Sequence, residues 1–209
     1  MFDARVRGWI DPPLNMAGRL LARARIGADE VTLTAFVCGM MGAAAIVLNQ
    51  MLAALVLILL GRLLDGIDGA IARATLPTDR GGFLDIALDF IFYGSVPLAF
   101  AMLDPWHNAL PAAALIASFY ANGAVFLSYA LMAERRSLET KLQGSKSLYY
   151  MAGLAEGTET IAVFVAFCLY PPGFAWLAGL FALVCYASAA ARVVLAWRTL
   201  GAVVLKSSS

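Results

Sequence analysis

The sequence predicts an all-α integral membrane protein: six transmembrane helices preceded by an amphipathic helix lying at the membrane interface. Three observations carry this prediction. Of the 209 residues, 62% are hydrophobic and only 14% charged, with a mean hydropathy of +0.80; a soluble domain is nearer half apolar and a quarter charged. Apolar runs of roughly 20 residues, the length that crosses hydrocarbon, recur along the chain. The cations are distributed so that an even number of crossings puts all of them on one side.

The elements follow in order. Residues 1–30 form a leader in which "DPPLNMAGRLLARARIG" is amphipathic. Leu14, Leu20, Leu21 and Ala24 can share one face, while Arg19, Arg23 and Arg25 meet water or lipid headgroups. No cleavable signal peptide is expected, because the first 30 residues hold five arginines and no long apolar core. Residues 31–200 make one domain, with spans expected at roughly 31–50, 51–76, 82–104, 107–133, 147–169 and 173–198. Turn chemistry separates them: Asn49-Gln50, "LPTDRGG" at 76–82, "DPWHN" at 104–108, "YPPG" at 170–173, and the polar run "AERRSLETKLQGSKS". Residues 201–209 are a C-terminal tail whose "LKSSS" reads as a cloning remnant.

The fifteen cations support the count of six. Five precede the first span: Arg5, Arg7, Arg19, Arg23 and Arg25. Arg62, Arg73 and Arg80 lie late in span two and in the loop after it. Arg135, Arg136, Lys141 and Lys146 lie between spans four and five, and Arg192, Arg198 and Lys206 close the chain. The other three turns carry none. The positive-inside rule makes the basic side cytoplasmic, with both termini there; in a bacterium the membrane would be the inner one. A net charge of +1 leaves no electrostatic footprint for nucleic acid, and no such partner is expected. Cys38, Cys168 and Cys185 lie in apolar runs without metal spacing and read as small buried hydrophobes.

Within this apolar chain, "LLDGIDGAIARATLPTDRGGFLDIALDF" carries five aspartates, four of them (Asp65, Asp68, Asp85 and Asp89) at helical spacing. Asp65 and Asp68 are three apart, on one face of a helix; Asp85 and Asp89 are four apart, on one face of the next. A short loop joins the two helices, which are expected to be antiparallel neighbours, so all four acids can meet at one depth in the cytoplasmic half of the membrane. A single Asp at the centre of a membrane helix costs roughly 2.5–3.5 kcal/mol, and four together repel one another. Arg62 and Arg73 can neutralise two. One or two divalent cations would neutralise more, and oxygen-only ligands suit hard ions. With no His or Cys nearby, zinc is disfavoured. The alternatives are purely structural pairing with arginine, or a cation pathway in a transporter. Gly61, Gly66, Gly69, Gly81 and Gly82 let a partner helix or a ligand approach the backbone closely. Beside the acids and Arg73, they read as the walls of a cavity for a phosphate-bearing ligand.

These residues resemble a known family. Asp65-x-x-Asp68-Gly69-x-x-Ala72-Arg73 followed by Gly81-x-x-x-Asp85-x-x-x-Asp89 is similar to the signature of the CDP-alcohol phosphotransferases, and the six-helix plan and amphipathic leader resemble the family as well. The gap from Arg73 to Gly81 is seven residues, where the family often has eight. The resemblance implies transfer of a substituted phosphate from a CDP-alcohol to an acceptor hydroxyl with release of CMP. It also implies two divalent cations, Mg²⁺ or Mn²⁺, and a homodimer. By position, Asp65, Asp68, Asp85 and Asp89 would be metal ligands, with Asp89 also the catalytic base. Gly69, Ala72, Arg73 and Gly81 would line the nucleotide site. The family often has Asn-x-x-Thr at the start of its first helix; Asp29-Glu30-Val31-Thr32 keeps only Thr32, which is carried over.

A second polar cluster bears on the acceptor. Lys146, Glu156 and Glu159 lie in or near span five, and Arg192 lies in span six. Intramembrane acids face a cavity or a partner, so Glu156 and Glu159 either pair structurally with Arg192 or help to recognise the acceptor. The cations suit an anionic alcohol such as a polyol phosphate, the acids a cationic one, and charge leaves both open. The expected reaction transfers a phosphatidyl group from CDP-diacylglycerol to a small polar alcohol. The alternatives are transfer from CDP-choline or CDP-ethanolamine to diacylglycerol, or cation-coupled transport. His107, far from the acids, reads as a surface residue.

Overall fold

A computed structural model of the chain describes residues 2–135 and 157–202. Every regular element among them is helical: α1 (Phe2–Arg23), α2 (Ala28–Val47), α3 (Met51–Ala74), α4 (Asp79–Leu103), α5 (Pro105–Arg135), α6 (Gly157–Leu169) and α7 (Phe174–Ala202), with a short 3-10 turn at Pro171–Gly173 before α7. Where the residues are described, the helix boundaries fall within a few residues of the expected spans; the start of the fifth, expected near 147, lies outside the described residues.

The ends have local causes. Asn49 takes a φ of 58° between α2 and α3, the left-handed conformation that Asn tolerates better than most residues. Glu30 accepts a hydrogen bond from the Gly27 N–H at 3.4 Å at the start of α2. Thr78 Oγ1 accepts from the Gly81 N–H at 3.1 Å and opens α4. In the first turn of α5, His107 Nδ1 lies 2.8 Å from Oδ2 of Asp104, the residue between α4 and α5, and this hydrogen bond holds the Asp104 carboxyl below its ordinary range. His107 is 80% exposed, the surface residue the sequence implies.

Among the described residues, four segments are long and apolar enough to cross a membrane: Ala28–Val47, Asp79–Leu103, Pro105–Met132 and Pro171–Leu200. The expected six differ from these four for two reasons. Helix α3 has 24 residues, about 36 Å at 1.5 Å per residue, but Arg62, Asp65, Asp68 and Arg73 interrupt its apolar character. Helix α6 is described over only 13 residues.

The core begins at Phe92, one turn past Asp89, and continues toward the turn after α4. Phe92, Phe100, Phe164, Phe167 and Phe174 are at most 1% exposed. They interlock edge-to-face, with Phe100 and Phe174 stacked at 4.5 Å. Cys168 and Cys185 are buried and Cys38 is half-buried; all three are free thiols.

Helix α2 is the wedge that shapes the site. Helices α3 and α4 do not pack along each other, as the sequence led us to expect; each packs on α2. The cause is a pair of small residues. A Cβ on Gly61 would stand 3.0 Å from the Ala35 carbonyl oxygen and 3.3 Å from Gly39 N, so α3 rests directly on the α2 backbone. Gly39 in turn takes the ring of Phe92 from α4. The gap left between α3 and α4 is where the acids sit.

Helix α1 runs along α3. Leu14 meets Gly66, and Gly18 is buried against Ala70, while Leu20 and Ala24 are exposed. Gly18 lacks the side chain that would hold the two helices apart, and its position sets which face turns inward.

Candidate active site

One carboxylate oxygen from each of Asp65, Asp68 and Asp85 lies within 4.8 Å of the others. The first two come from adjacent turns of α3 and the third from the second turn of α4. Asp68 is only 6% exposed, and its Oδ2 has no hydrogen-bond partner among the described residues. A buried carboxylate oxygen left bare is costly, and a cation is the group that would satisfy it. Three convergent carboxylates with no nitrogen or sulfur donor match the preferences of a hard divalent ion. The residues therefore fit such an ion.

Asp89 stands beside this trio and is held differently. Its Oδ1 accepts a hydrogen bond from Arg62 Nη1 at 2.7 Å, while Arg62 Nη2 lies 3.4 Å from Asp65 Oδ1. The Arg62 guanidinium lies 4.7 Å from the ring centre of Phe92 and 5.7 Å from that of Tyr93. It bridges the gap between α3 and α4 with a side chain only 14% exposed.

A cavity of about 410 Å³ opens next to the trio, between α2, α3 and the start of α4. Asp68 and Asp85 reach it, and so do Thr32, Gly69, Ala72 and Gly81, four of the five residues expected on the nucleotide side. The Thr32 hydroxyl donates to the Ala28 carbonyl at 3.0 Å and lies beside Asp68. A Cβ on Gly81 would come 3.1 Å from Asp29 Oδ1 and from Thr78 Oγ1, so only a bare backbone keeps this edge open. Asp29, where the family pattern has Asn, accepts from Arg80 Nε at 2.7 Å. Arg73 is the fifth residue. It lies outside the lining, exposed, with Nη2 donating to Asn15 Oδ1 of α1 at 3.2 Å.

A second cavity, about 320 Å³, is lined by Asp89, which does not reach the first. Asp89, Tyr93, Asn122, Thr160 and Arg192 line it, and Arg192 Nη1 donates to Asn122 Oδ1 at 3.0 Å. Of the four residues tied to the acceptor, Arg192 is therefore close to Asp89. Glu159 precedes Thr160 on α6 and has a buried Oε2 without a partner among the described residues. Lys146 and Glu156 lie outside the described residues.

Sequence reasoning missed Asn15, Tyr93, Asn122 and Thr160. The signal available for Asn122 was an isolated amide inside a long apolar helix. For Asn15 it was a polar residue three positions before Gly18 in the amphipathic leader.

Residues 25–205 match the CDP-alcohol phosphatidyltransferase family. The chain is 43% identical over 200 residues to the inner membrane protein YnjF of Escherichia coli, covering 96% of this chain and 97% of that one. It is 29% identical over 100 residues to an archaetidylinositol phosphate synthase of Pyrococcus horikoshii, covering 47% and 53% of the two chains. It is 30% identical over 151 residues to a bifunctional IPC transferase and DIPP synthase of Archaeoglobus fulgidus, covering 69% and 28%. In fold it is similar to phosphatidylinositol phosphate synthase from Mycobacterium tuberculosis. With the structure containing bound CDP-DAG the TM-score is 0.63 at 20% identity, over 88% of this chain and 93% of that one. The structure containing manganese and citrate gives the same score and identity over 88% of each chain. With this match spanning the two acid-bearing helices and the cavity between them, the chain belongs to the CDP-alcohol phosphatidyltransferase family and is an integral membrane phosphatidyltransferase of phospholipid synthesis.

Proposed function

We propose that the chain transfers a phosphatidyl group from CDP-diacylglycerol to a small anionic alcohol, a polyol phosphate, with release of CMP and dependence on divalent cations. The observation that carries this reading is the convergence of Asp65, Asp68 and Asp85 at the 410 Å³ cavity, with Asp89 lining a second cavity that contains Arg192.

The division of labour follows from that arrangement. The nucleotide enters the first cavity, where Gly69, Ala72 and Gly81 leave its backbone walls open and Thr32 offers a hydroxyl. Arg73, steadied by Asn15, meets the diphosphate from the rim, since a guanidinium pairs with phosphate in bidentate fashion. Asp65, Asp68, Asp85 and Asp89 would hold two ions, Mg²⁺ or Mn²⁺, which supply positive charge where the attacking and leaving oxygens become negative. The acceptor enters the second cavity with its anionic group on Arg192 and Asn122 and its hydroxyl toward Asp89. Asp89 takes the hydroxyl proton at Oδ2, the oxygen that Arg62 does not hold. Glu156, Glu159 and Lys146 border this side in sequence and would refine the choice of alcohol.

The donor and acceptor classes draw support from the relatives. One structural neighbour was solved with CDP-DAG bound, and two relatives are named as inositol phosphate-type synthases. In this reading α3 and the complete α6 also cross the membrane, giving six spans. The helix α1 lies at the cytoplasmic interface, the cavity opens to the cytoplasm, and the chain pairs as a homodimer within the lipid.

The test is an acceptor screen. Purified protein receives labelled CDP-diacylglycerol with Mg²⁺ and, separately, inositol phosphate, glycerol phosphate, inositol, serine or choline. The expected result is CMP release and a labelled lipid with a polyol phosphate, abolished by EDTA. Product formed only with serine or choline, or undiminished turnover in EDTA, would contradict the reading.

A further inference from the structure

Arg62 is the one cation among the described residues that bonds an acid on α3 and an acid on α4 together. Its seat is built from both helices. On α3 it stands one turn before Asp65. On α4, Asp89, Phe92 and Tyr93 occupy positions i, i+3 and i+4, a single helix face that offers one carboxylate and two rings. The guanidinium thus fills the space between Asp65 and Asp89, while one carboxylate oxygen from each of Asp65, Asp68 and Asp85 gathers within 4.8 Å of the others.

We propose that Arg62 is a built-in counter-cation that occupies the second ion's place and holds Asp89 in reserve, so that the first divalent ion binds Asp65, Asp68 and Asp85 and the second binds only by displacing the guanidinium. This rests on the two-ion reading above. Guanidinium stays charged at any physiological pH, so Asp89 is not released by a proton leaving Arg62, and a competing cation releases it by displacing the guanidinium. The rings give the displaced guanidinium a resting place, because its contact with Phe92 and Tyr93 does not depend on the Asp89 carboxylate. Arg62 is therefore a positioning residue that acts through Asp89 and separates the affinities of the two ions.

The experiment counts Mn²⁺ bound to the full chain in detergent, by the loss of the free-ion electron paramagnetic resonance signal. Wild type is expected to bind one ion tightly and a second at least about tenfold more weakly, a free-energy separation of about 1.4 kcal/mol. Arg62→Gln, which removes the charge, should tighten the second ion by at least about tenfold and leave the first within about threefold. Arg62→Lys keeps one point charge that cannot span both carboxylates, so it should fall between the two and serves if the Gln variant does not fold. A merely structural arginine would weaken both ions together or neither. If wild type binds two ions and Arg62→Gln or Arg62→Lys leaves their separation unchanged, the role of Arg62 is wrong while the two-ion site stands. If wild type binds no Mn²⁺, both fall.

Discussion

Arg62 on α3 and Asp89 on α4 are joined by a 2.7 Å hydrogen bond across a gap in which the two helices do not otherwise pack along each other. The acids of this enzyme are therefore not lined up on touching helices. They face one another over a space that α2 holds open, and each oxygen in it has a distinct environment: bare on Asp68, held by a guanidinium on Asp89.

The bare oxygen gives the first prediction. Asp68→Asn should lower the affinity for the first Mn²⁺ by at least about 100-fold, since loss of even an outer partner of a metal ligand costs 10–100-fold. Turnover should fall in step. The metal-free protein should be no less stable, because the change removes a buried carboxylate one of whose oxygens has no partner among the described residues. Mn²⁺ binding and thermal unfolding in EDTA, measured on the same sample, check both signs.

The Arg192–Asn122 pair gives the second. Arg192→Ala should raise KM for an anionic acceptor by about 10- to 100-fold, the value of a hydrogen bond to a charged group at roughly 1.5–3 kcal/mol. KM for the CDP-donor should change less than about twofold, because Arg192 lines the second cavity and not the first. Steady-state kinetics with each substrate varied in turn separate the two constants.

Asn15 gives the third. Losing its 3.2 Å contact leaves Arg73 unsteadied at the rim. Asn15→Ala should raise KM for the CDP-donor several-fold with a smaller change in kcat, and an equal fall in kcat alone would count against this placement.

The fourth concerns the wedge. Gly61→Ala puts a methyl 3.0 Å from the Ala35 carbonyl and should cost about 1–3 kcal/mol by overpacking, read as a lowered Tm. Gly179→Ala, where an added Cβ meets nothing within 4 Å, should be neutral or slightly stabilising through helix propensity.

Helix positions and the acid pairs were legible because each rests on a local rule: apolar length, turn residues, and a spacing of three or four on one face. What was not legible depends on a third helix. Nothing in the spacing of Asp65, Asp68, Asp85 and Asp89 says that α2 stands against both of their helices; that follows from Gly39 and Gly61, whose partners are far away in the chain. For the same reason Arg62 was seen as a neutralising charge but not as the bridge to Asp89, 27 residues later. The seating of α1 on α3 was not legible because Gly18, the residue buried against Ala70, contributes nothing to an apolar pattern. The position of Arg192 beside Asp89 depends on how α5, α6 and α7 close around one cavity, which no local rule supplies.

Crystals grown with manganese and measured at a wavelength where it scatters anomalously test the central claim most directly. The account predicts an anomalous peak among the carboxylates of Asp65, Asp68 and Asp85, with a second one near Asp89 at higher manganese concentration. An empty map there, with the three side chains turned away from one another, would contradict it.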